Sequence, residues 1–133
     1  MMSNGAFTKW LFLISLTFLS TNIFAAIFNV SNTPQLRQAL LDAALNGQDD
    51  RIVLAPGFYV TAIDGLGTFR FSDAEAFSLT IEGSGTDRSD VVLDGAVLHT
   101  VLSIRNSISS SLTLKRLTIR FGGEGVITDF EFI

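Results

Sequence analysis

The sequence predicts a mainly β protein, a short β-solenoid of about three coils with an α-helix closing one end. Three observations favour this fold. A single well-signalled helix stands near the start, only short apolar runs follow it, and Gly, Asp or Ser ends each of these runs. The length of 133 residues allows one domain, and an apolar content of 47% is enough for a packed core.

Charge and cysteine content restrict the function classes. The net charge of −4 argues against a protein that neutralises nucleic-acid phosphates, so no nucleic-acid partner is expected. The chain has no cysteine, so its stability must come from packing and hydrogen bonding.

Residues 1–26 predict a signal peptide. Lys9 supplies the positive charge, residues 10–24 form an apolar run, and Ala25 and Ala26 offer small residues for cleavage. The alternative is an uncleaved membrane anchor, but the run of about 15 residues is shorter than the ~20 needed to cross a bilayer. We therefore expect a secreted or cell-surface protein, with residues 27–133 as the mature domain and no stable membrane span after cleavage.

The helix has clear start and stop signals. Thr33 can cap its N-terminus with Pro34 in the first helical position, and Asn46-Gly47 can end it. The helix also has a broad apolar face, formed by Leu36, Ala39, Leu40, Ala43 and Ala44 and widened by Leu41 and Leu45. So wide a face predicts burial against a large apolar surface, as for a helix lying across the end of a strand stack.

Short β-runs make up the remainder of the chain. In residues 79–83, alternation places Leu79 and Ile81 inward. The predicted strands lie within residues 52–54, 58–60, 69–71, 79–83, 91–95, 101–104 and 112–122, with a possible first or edge strand at 27–30.

The last run changes its apolar phase at Lys115-Arg116. Apolar residues hold even positions through Leu114 and odd positions from Leu117. One straight strand would expose half of them, so the slip predicts a corner or bulge, which is typical of a solenoid coil. Asp94-Gly95 leaves a local hairpin open as an alternative.

The spacing of the later runs leaves two architectures open. Runs beginning at residues 79, 91, 101 and 112 are separated by 12, 10 and 11 residues. Such spacing suits a β-sandwich or the three faces of a solenoid. The wide-faced helix before the strands favours the solenoid.

Residues 36–59 (LRQALLDAALNGQDDRIVLAPGFY) resemble the N-terminal cap and first coil of secreted right-handed parallel β-helix proteins, the pectin-lyase-like superfamily. LTIEGSG, VVLDG and LTLKRLTIRFG are similar to the coils that follow. The resemblance covers about 95 residues and implies a right-handed parallel β-helix. It does not imply one function, because the superfamily includes lyases, hydrolases, adhesins and autotransporter passengers.

Members of that superfamily usually have many more coils, so the resemblance implies a truncated or incomplete copy of a longer protein. Residues 124–133 lack the next expected coil strand. They are expected either to cap the open end or to form an uncompleted coil. The apolar residues at that end are Leu112, Leu114, Leu117, Ile119 and Phe121.

Several titratable residues are candidates for catalysis. His99 with Asp94 nearby could act as a general base, although a lone corner histidine is the simpler interpretation. Paired carboxylates can cleave glycosidic bonds or bind calcium, but turn chemistry also explains such pairs. The pairs are Asp49/Asp50, Asp73/Glu75 and Asp87/Asp90.

Other motifs are weaker. Three arginines could line one outer face and contact acidic polysaccharide, or be ordinary outward residues: Arg105, Arg116 and Arg120. Residues 122–125 (GGEG) match the opening of a calcium-binding nonapeptide repeat. The repeat requires Asp two residues later, where this chain has Ile127, so we reject this motif. Residues 106–111 carry hydroxyls that can ladder between coils, and residues 29–31 match a glycosylation sequon.

No catalytic, cofactor-binding or metal-binding residue is assigned. In the lyases of the superfamily such residues lie on later coils. We therefore expect a secreted structural or surface module, in adhesion or carbohydrate contact. The alternatives are an inactive fragment of a polysaccharide lyase or glycoside hydrolase, and a small β-sandwich binding protein.

Overall fold

The computed structural model describes residues 25–73, 76–107, 110–123 and 126–131, with the backbone alone for 106–107 and 126–131. These residues form one α-helix and ten strands, which confirms a mainly β chain with an N-terminal helix. Residues 1–24 of the predicted signal peptide lie outside the described residues. In chain order the elements are β1 (Ala26–Val30), α1 (Thr33–Ala43), β2 (Asp50–Leu54), β3 (Gly57–Val60), β4 (Phe69–Ser72), β5 (Leu79–Gly83), β6 (Val91–Asp94), β7 (Leu102–Ser107), β8 (Leu112–Lys115), β9 (Thr118–Arg120) and β10 (Val126–Glu131).

The described strands form three parallel sheets. The first sheet has the order β1-β2-β5-β8, the second β3-β6-β9, and the third β4-β7-β10. From β2 onward, each strand pairs with the strand three places later, and every pairing among the described residues is parallel. Parallel neighbours need a crossover between them, which the two intervening strands provide. This pairing contradicts the antiparallel β-sandwich.

The chain turns corners at both positions where the sequence left a choice. After β6 there is no hairpin, because Ala96 and Val97 adopt positive φ (52° and 62°) and lead into the third sheet. After β8, Arg116 has a φ of 49° and the chain passes from the first sheet to the second. The phase slip at Lys115-Arg116 is therefore a corner, as predicted.

The core consists of rows of inward side chains from strands in register. Ile52 pairs with Ile81, and Ile81 with Leu114, along the first sheet. Leu79 and Ile81 are both fully buried, which confirms their predicted inward direction. The second sheet has an equivalent row of Tyr59, Leu93 and Ile119.

Tyr59 contributes a polar group to this core. Its hydroxyl lies 2.9 Å from the carbonyl oxygen of Ala55 and 3.0 Å from that of Val30. These acceptors satisfy a phenol that is otherwise enclosed by apolar side chains. Burial raises the pKa of Tyr59.

The ends of α1 differ from the prediction. Asn32, not Thr33, caps the N-terminus, and its side chain accepts a hydrogen bond from the Gln35 N–H at 2.9 Å. The Thr33 hydroxyl instead accepts from the Val60 N–H at 3.1 Å, which ties the helix to β3. The helix ends at Ala43, so the Asn46-Gly47 turn lies beyond its last residue.

α1 packs across the first strands of all three sheets, touching β1 to β4. The predicted broad face is narrower than expected, because Leu41 is 56% exposed and Leu45 is 84% exposed. A helix lying on a flat surface buries only one stripe of side chains. That stripe is Leu36, Ala39, Leu40 and Ala43.

Residues 126–131 do not form the cap that was one of the two alternatives for the tail. Residues 126–131 form β10, which lies parallel to β7 over six residue pairs. The tail therefore supplies a further strand of the third sheet, and this strand does not fold over the end of the stack. Residues 124–125 and 132–133 lie outside the described residues.

Gly95, at the corner after β6, lies so close to neighbouring backbone that a larger residue there should destabilise the fold. A Cβ at Gly95 would lie 2.6 Å from the His99 carbonyl oxygen and 2.7 Å from the Gly122 Cα. Because these neighbours are backbone atoms, Gly95→Ala should destabilise the fold by about 1–3 kcal/mol. Urea unfolding measures this change.

Gly123→Ala is the matched control, because a Cβ there meets no atom within 4 Å. Its free energy of unfolding should stay within about 0.5 kcal/mol of the wild type. Equal effects of the two substitutions would contradict the stacked corner.

Candidate functional site

The outer face of the first sheet carries a cluster of two arginines around one glutamate. Glu82 points outward from β5, yet it is only 4% exposed. The Arg51 guanidinium donates to Glu82 Oε1, and Arg116 Nη2 lies 3.5 Å from Oε2. Arg116 Nε also donates to the Gly83 carbonyl at 3.1 Å. The two arginines cover the carboxylate, and their side chains are themselves about half exposed. Because two arginines surround one glutamate, the cluster has a net positive charge.

The second sheet carries an arginine between two aromatic rings. Arg120 Nε donates to Asp94 Oδ2 at 3.0 Å, and the Ala96 N–H donates to Asp94 Oδ1 at 2.8 Å. The Arg120 guanidinium lies 5.2 Å from the ring centre of Phe58 and 5.0 Å from that of Phe121. Both distances are within the range of cation–π attraction. We call Phe58, Asp94, Arg120 and Phe121 the aromatic–arginine surface.

Strand register explains how these residues meet. Val60, Asp94 and Arg120 are in register on β3, β6 and β9, so their side chains share one outward row. Phe58 lies two residues before Val60 on the same outward side. The rings of Phe58 and Phe121 are 63% and 57% exposed. Exposed aromatic faces beside a fixed cation can bind a flat or ring-shaped ligand that has hydrogen-bond acceptors.

His99 does not pair with Asp94. Both Asp94 carboxylate oxygens are occupied, by Arg120 and by the Ala96 N–H. The His99 ring instead faces the Thr61 hydroxyl at 3.4 Å and lies against Gly67. The histidine therefore links two successive corner loops, and the general-base arrangement is not formed.

The acidic pair Asp49/Asp50 serves the turn before β2. Asp49 Oδ1 accepts from the Ser78 N–H at 2.7 Å, and Asn46 Nδ2 donates to Asp50 at 2.6 Å. Burial raises the pKa of Asp50, the Asn46 bond opposes the rise, and the charges of Asp73 and Asp49 add to it. Asp73 thus acts on Asp50 through its charge, whereas Glu75 lies outside the described residues.

Asp87 and Asp90 form a capping box around a short 3₁₀ turn, Arg88–Asp90. Asp87 Oδ1 accepts from the Ser89 N–H at 2.8 Å, and Asp90 Oδ2 accepts from the Asp87 N–H at 2.9 Å. The bonds from Ser89 lower the pKa of Asp87. Turn chemistry accounts for this pair. Within the described part of the chain, no three His, Cys, Asp or Glu side chains are grouped to hold a metal ion.

Arg105, Arg116 and Arg120 do not share one face. Arg105 lies on β7 in the third sheet, whereas Arg120 lies on β9 in the second. Arg116 occupies the corner between the first and second sheets. Only Arg116 and Arg120 belong to the clusters described above.

Part of the predicted hydroxyl ladder is present. The Ser111 hydroxyl donates to the Ser78 hydroxyl at 3.0 Å, and the Ser78 N–H reaches Asp49. This chain of contacts joins the turns before β2, β5 and β8. The GGEG motif extends outside the described residues at Glu124.

Sequence reasoning missed the role of Arg37. This helix residue forms a salt bridge with Asp64 at 2.5 Å and donates to the carbonyl oxygens of Thr61, Gly67 and Thr68. Its guanidinium also lies 4.7 Å from the ring centre of Phe69. Arg37 is the only basic residue of α1, and that was the one available signal.

The Arg37–Asp64 pair generates a pH prediction. The hydrogen bond from Arg37 is the largest cause that lowers the pKa of Asp64. An acid whose pKa falls on folding contributes stability above its ordinary pKa of 3.8, and this stability is lost as pH falls through the lowered value. Asp64→Asn should therefore lower Tm at pH 7, and the difference from the wild type should shrink below pH ~4.

Asp42→Asn serves as the matched control, since it removes one negative charge from an exposed position of α1. Its Tm should differ little from that of the wild type over the same pH range. A Tm difference for Asp64→Asn that stays constant with pH would contradict the assignment.

In the described part of the chain, no helix combines the length and apolar character needed to cross a lipid bilayer. Comparison with protein-family models, curated proteins and solved structures gives no match to this chain.

Proposed function

We propose that the chain is the N-terminal part of a secreted right-handed parallel β-helix protein of the pectin-lyase-like kind. Three parallel sheets in which each strand pairs with the strand three places later support this architecture. The position of α1, which packs across the first strand of every sheet, supports its role as the cap. The resemblance of residues 36–59 to the cap and first coil of those proteins points to the same fold.

In this proposal residues 1–26 are a signal peptide, and the protein acts outside the cell or on its surface. The positive charge at Lys9, the apolar run and the small residues Ala25 and Ala26 support export. The proposed cleavage positions fall at the start of β1. A chain without cysteine needs no disulfide formation after export.

The proposed role is structural, as a surface module that contacts carbohydrate through the aromatic–arginine surface. The observation that carries this role is the exposure of Phe58 and Phe121 on either side of Arg120. The apolar C–H faces of a sugar ring can pack on exposed aromatic rings. A guanidinium presents several N–H donors to hydroxyl or carboxylate oxygens. An acidic polysaccharide combines both features.

A second candidate is an inactive fragment of a polysaccharide lyase or glycoside hydrolase. The charge of Asp73, which acts on Asp50, favours it, since paired carboxylates can cleave glycosidic bonds. Asp49 and Asp50, however, bond to Ser78 and Asn46 within the turn before β2. We therefore prefer the structural module.

Affinity electrophoresis in gels containing polygalacturonate tests the proposed contact. The purified chain should be retarded, and Phe58→Ala should weaken the binding about tenfold, which corresponds to ~1.4 kcal/mol. Arg120→Gln should weaken binding to polygalacturonate more than binding to a neutral glucan, because it removes the charged donor.

Ile63→Ala is the matched control, since Ile63 is also an exposed apolar residue at 71% exposure. It lies in the loop after β3 and outside the aromatic–arginine surface. Unretarded migration of the wild type in both gels, or equal losses for Phe58→Ala and Ile63→Ala, would refute the carbohydrate contact.

A further inference from the structure

Asp50 is a buried carboxylate at the start of β2. Only 4% of the residue is exposed, and it alternates in phase with the buried residues Ile52 and Leu54. Among the described residues, the one side-chain partner of Asp50 is the neutral amide of Asn46, which donates to Oδ1 at 2.6 Å. Burial raises the pKa of Asp50. A carboxylate buried without a cationic partner is costly in free energy.

The first residue of β1 lies directly beside Asp50. Ala26 and Asp50 are register partners in the parallel pair of β1 and β2, and the Ala26 N–H donates to the Asp49 carbonyl at 3.0 Å. Neighbouring strands lie about 4.8 Å apart. The register therefore places the Ala26 nitrogen at roughly the 4–6 Å distance over which a positive charge stabilises a carboxylate.

Hydrolysis of the Ala25–Ala26 peptide bond would give this nitrogen a positive charge. The broken bond takes up one water molecule, which leaves a carboxylate on Ala25 and an α-ammonium group on Ala26. We propose that the export signal is cut at this bond and that the α-ammonium group of Ala26 then forms an ion pair with Asp50. This ion pair rests on the proposed signal peptide, and it selects one of the two cleavage positions that the sequence leaves open.

Cleavage after Ala26 would not produce the same pair. The new amine would then belong to Ile27, whose register partner is Arg51, so two positive charges would lie on neighbouring positions. That cut would also remove the bond from the Ala26 N–H to Asp49 and the first register pair of the sheet. Both effects favour the cut after Ala25.

The charged residues around the start of β1 are mostly acidic. Asp49 lies in the turn before β2, the charge of Asp73 acts on Asp50, and Asp42 of α1 lines a shallow cavity beside β1. Arg51 is the nearby basic residue on β2, and it is exposed on the outer face of the sheet. The electrostatic field of the described residues around Ala26 therefore favours a cation there.

The ion pair links the stability of the fold to removal of the export signal. In the uncut chain the Ala26 nitrogen is a neutral amide, so Asp50 lacks its cation. Removing one partner of a buried ion pair is strongly destabilising, because the other charge is left uncompensated. The fold therefore reaches its full stability only after the export signal has been removed.

Export of the full-length chain from a secreting host tests the cleavage position, since intact mass should show a product that begins at Ala26. This product has two amines, the α-amine and Lys115, because Lys9 leaves with the signal peptide. Reductive methylation with ¹³C therefore gives two amine signals by NMR. The pKa of the α-amine should be at least about one unit higher in the wild type than in Asp50→Asn, which removes the opposite charge. Lys115 is the internal reference and should not shift.

Acetylation of the α-amine gives a second measurement that does not depend on the folding of Asp50→Asn. In Lys115→Arg the α-amine is the sole amine of the product, so acetylation removes that charge alone. It should lower the Tm by about 4–8 °C, the shift expected for the loss of one such interaction in a domain of this size.

Asp42→Asn is the matched control, because it removes an acidic charge from α1 beside β1. It should lower the pKa of the α-amine much less than Asp50→Asn does. A product that begins at Ile27, equal pKa changes in the two variants, or an unchanged Tm on acetylation would overturn the ion pair and leave the export signal standing. An exported chain that keeps residues 1–25 would refute both the ion pair and the cleaved signal peptide.

Discussion

The register between strands three places apart is the constraint on which the structure depends. It stacks Ile52 on Ile81 inside the first sheet, and it stacks outward charges on the faces of the same strands. The burial of Glu82 is tolerated only because the register and the corner after β8 bring Arg51 and Arg116 to it. A buried carboxylate without such partners would cost several kcal/mol. Core packing and the ion pairs of Glu82 thus have one common origin.

Local pattern was enough to predict most of the strands. The inward direction of Leu79 and the corner at Lys115-Arg116 follow from alternation within a few residues, so one sequence shows them. The helix cap was misassigned because the Thr33 hydroxyl bonds to Val60, a contact 27 residues away. The exposure of Leu45 was not predicted, because the Asn46-Gly47 stop signal placed it inside a helix that in fact ends at Ala43.

The candidate site was much less predictable than the fold. Phe58 and Arg120 are far apart in the sequence, and only the pairing of β3, β6 and β9 brings them together. The proximity of His99 and Asp94 in the sequence suggested a partnership, but the Asp94 carboxylate bonds to Arg120 and to the Ala96 N–H instead. A single sequence contains no signal for register between distant strands, so contacts of this kind have to be observed.

Cysteine cross-linking tests the strand register most directly, because the natural chain contains no cysteine. Thr80 is in register with Thr113 in the first sheet, and Arg70 with Ser103 in the third. Neighbouring strands lie about 4.8 Å apart, a separation that a disulfide can bridge. The double variants Thr80→Cys/Thr113→Cys and Arg70→Cys/Ser103→Cys should each form an intrachain disulfide under native conditions and much less in urea. If neither pair forms, or if the mismatched pair Thr80→Cys/Ser103→Cys forms as readily, the three-sheet parallel arrangement is contradicted.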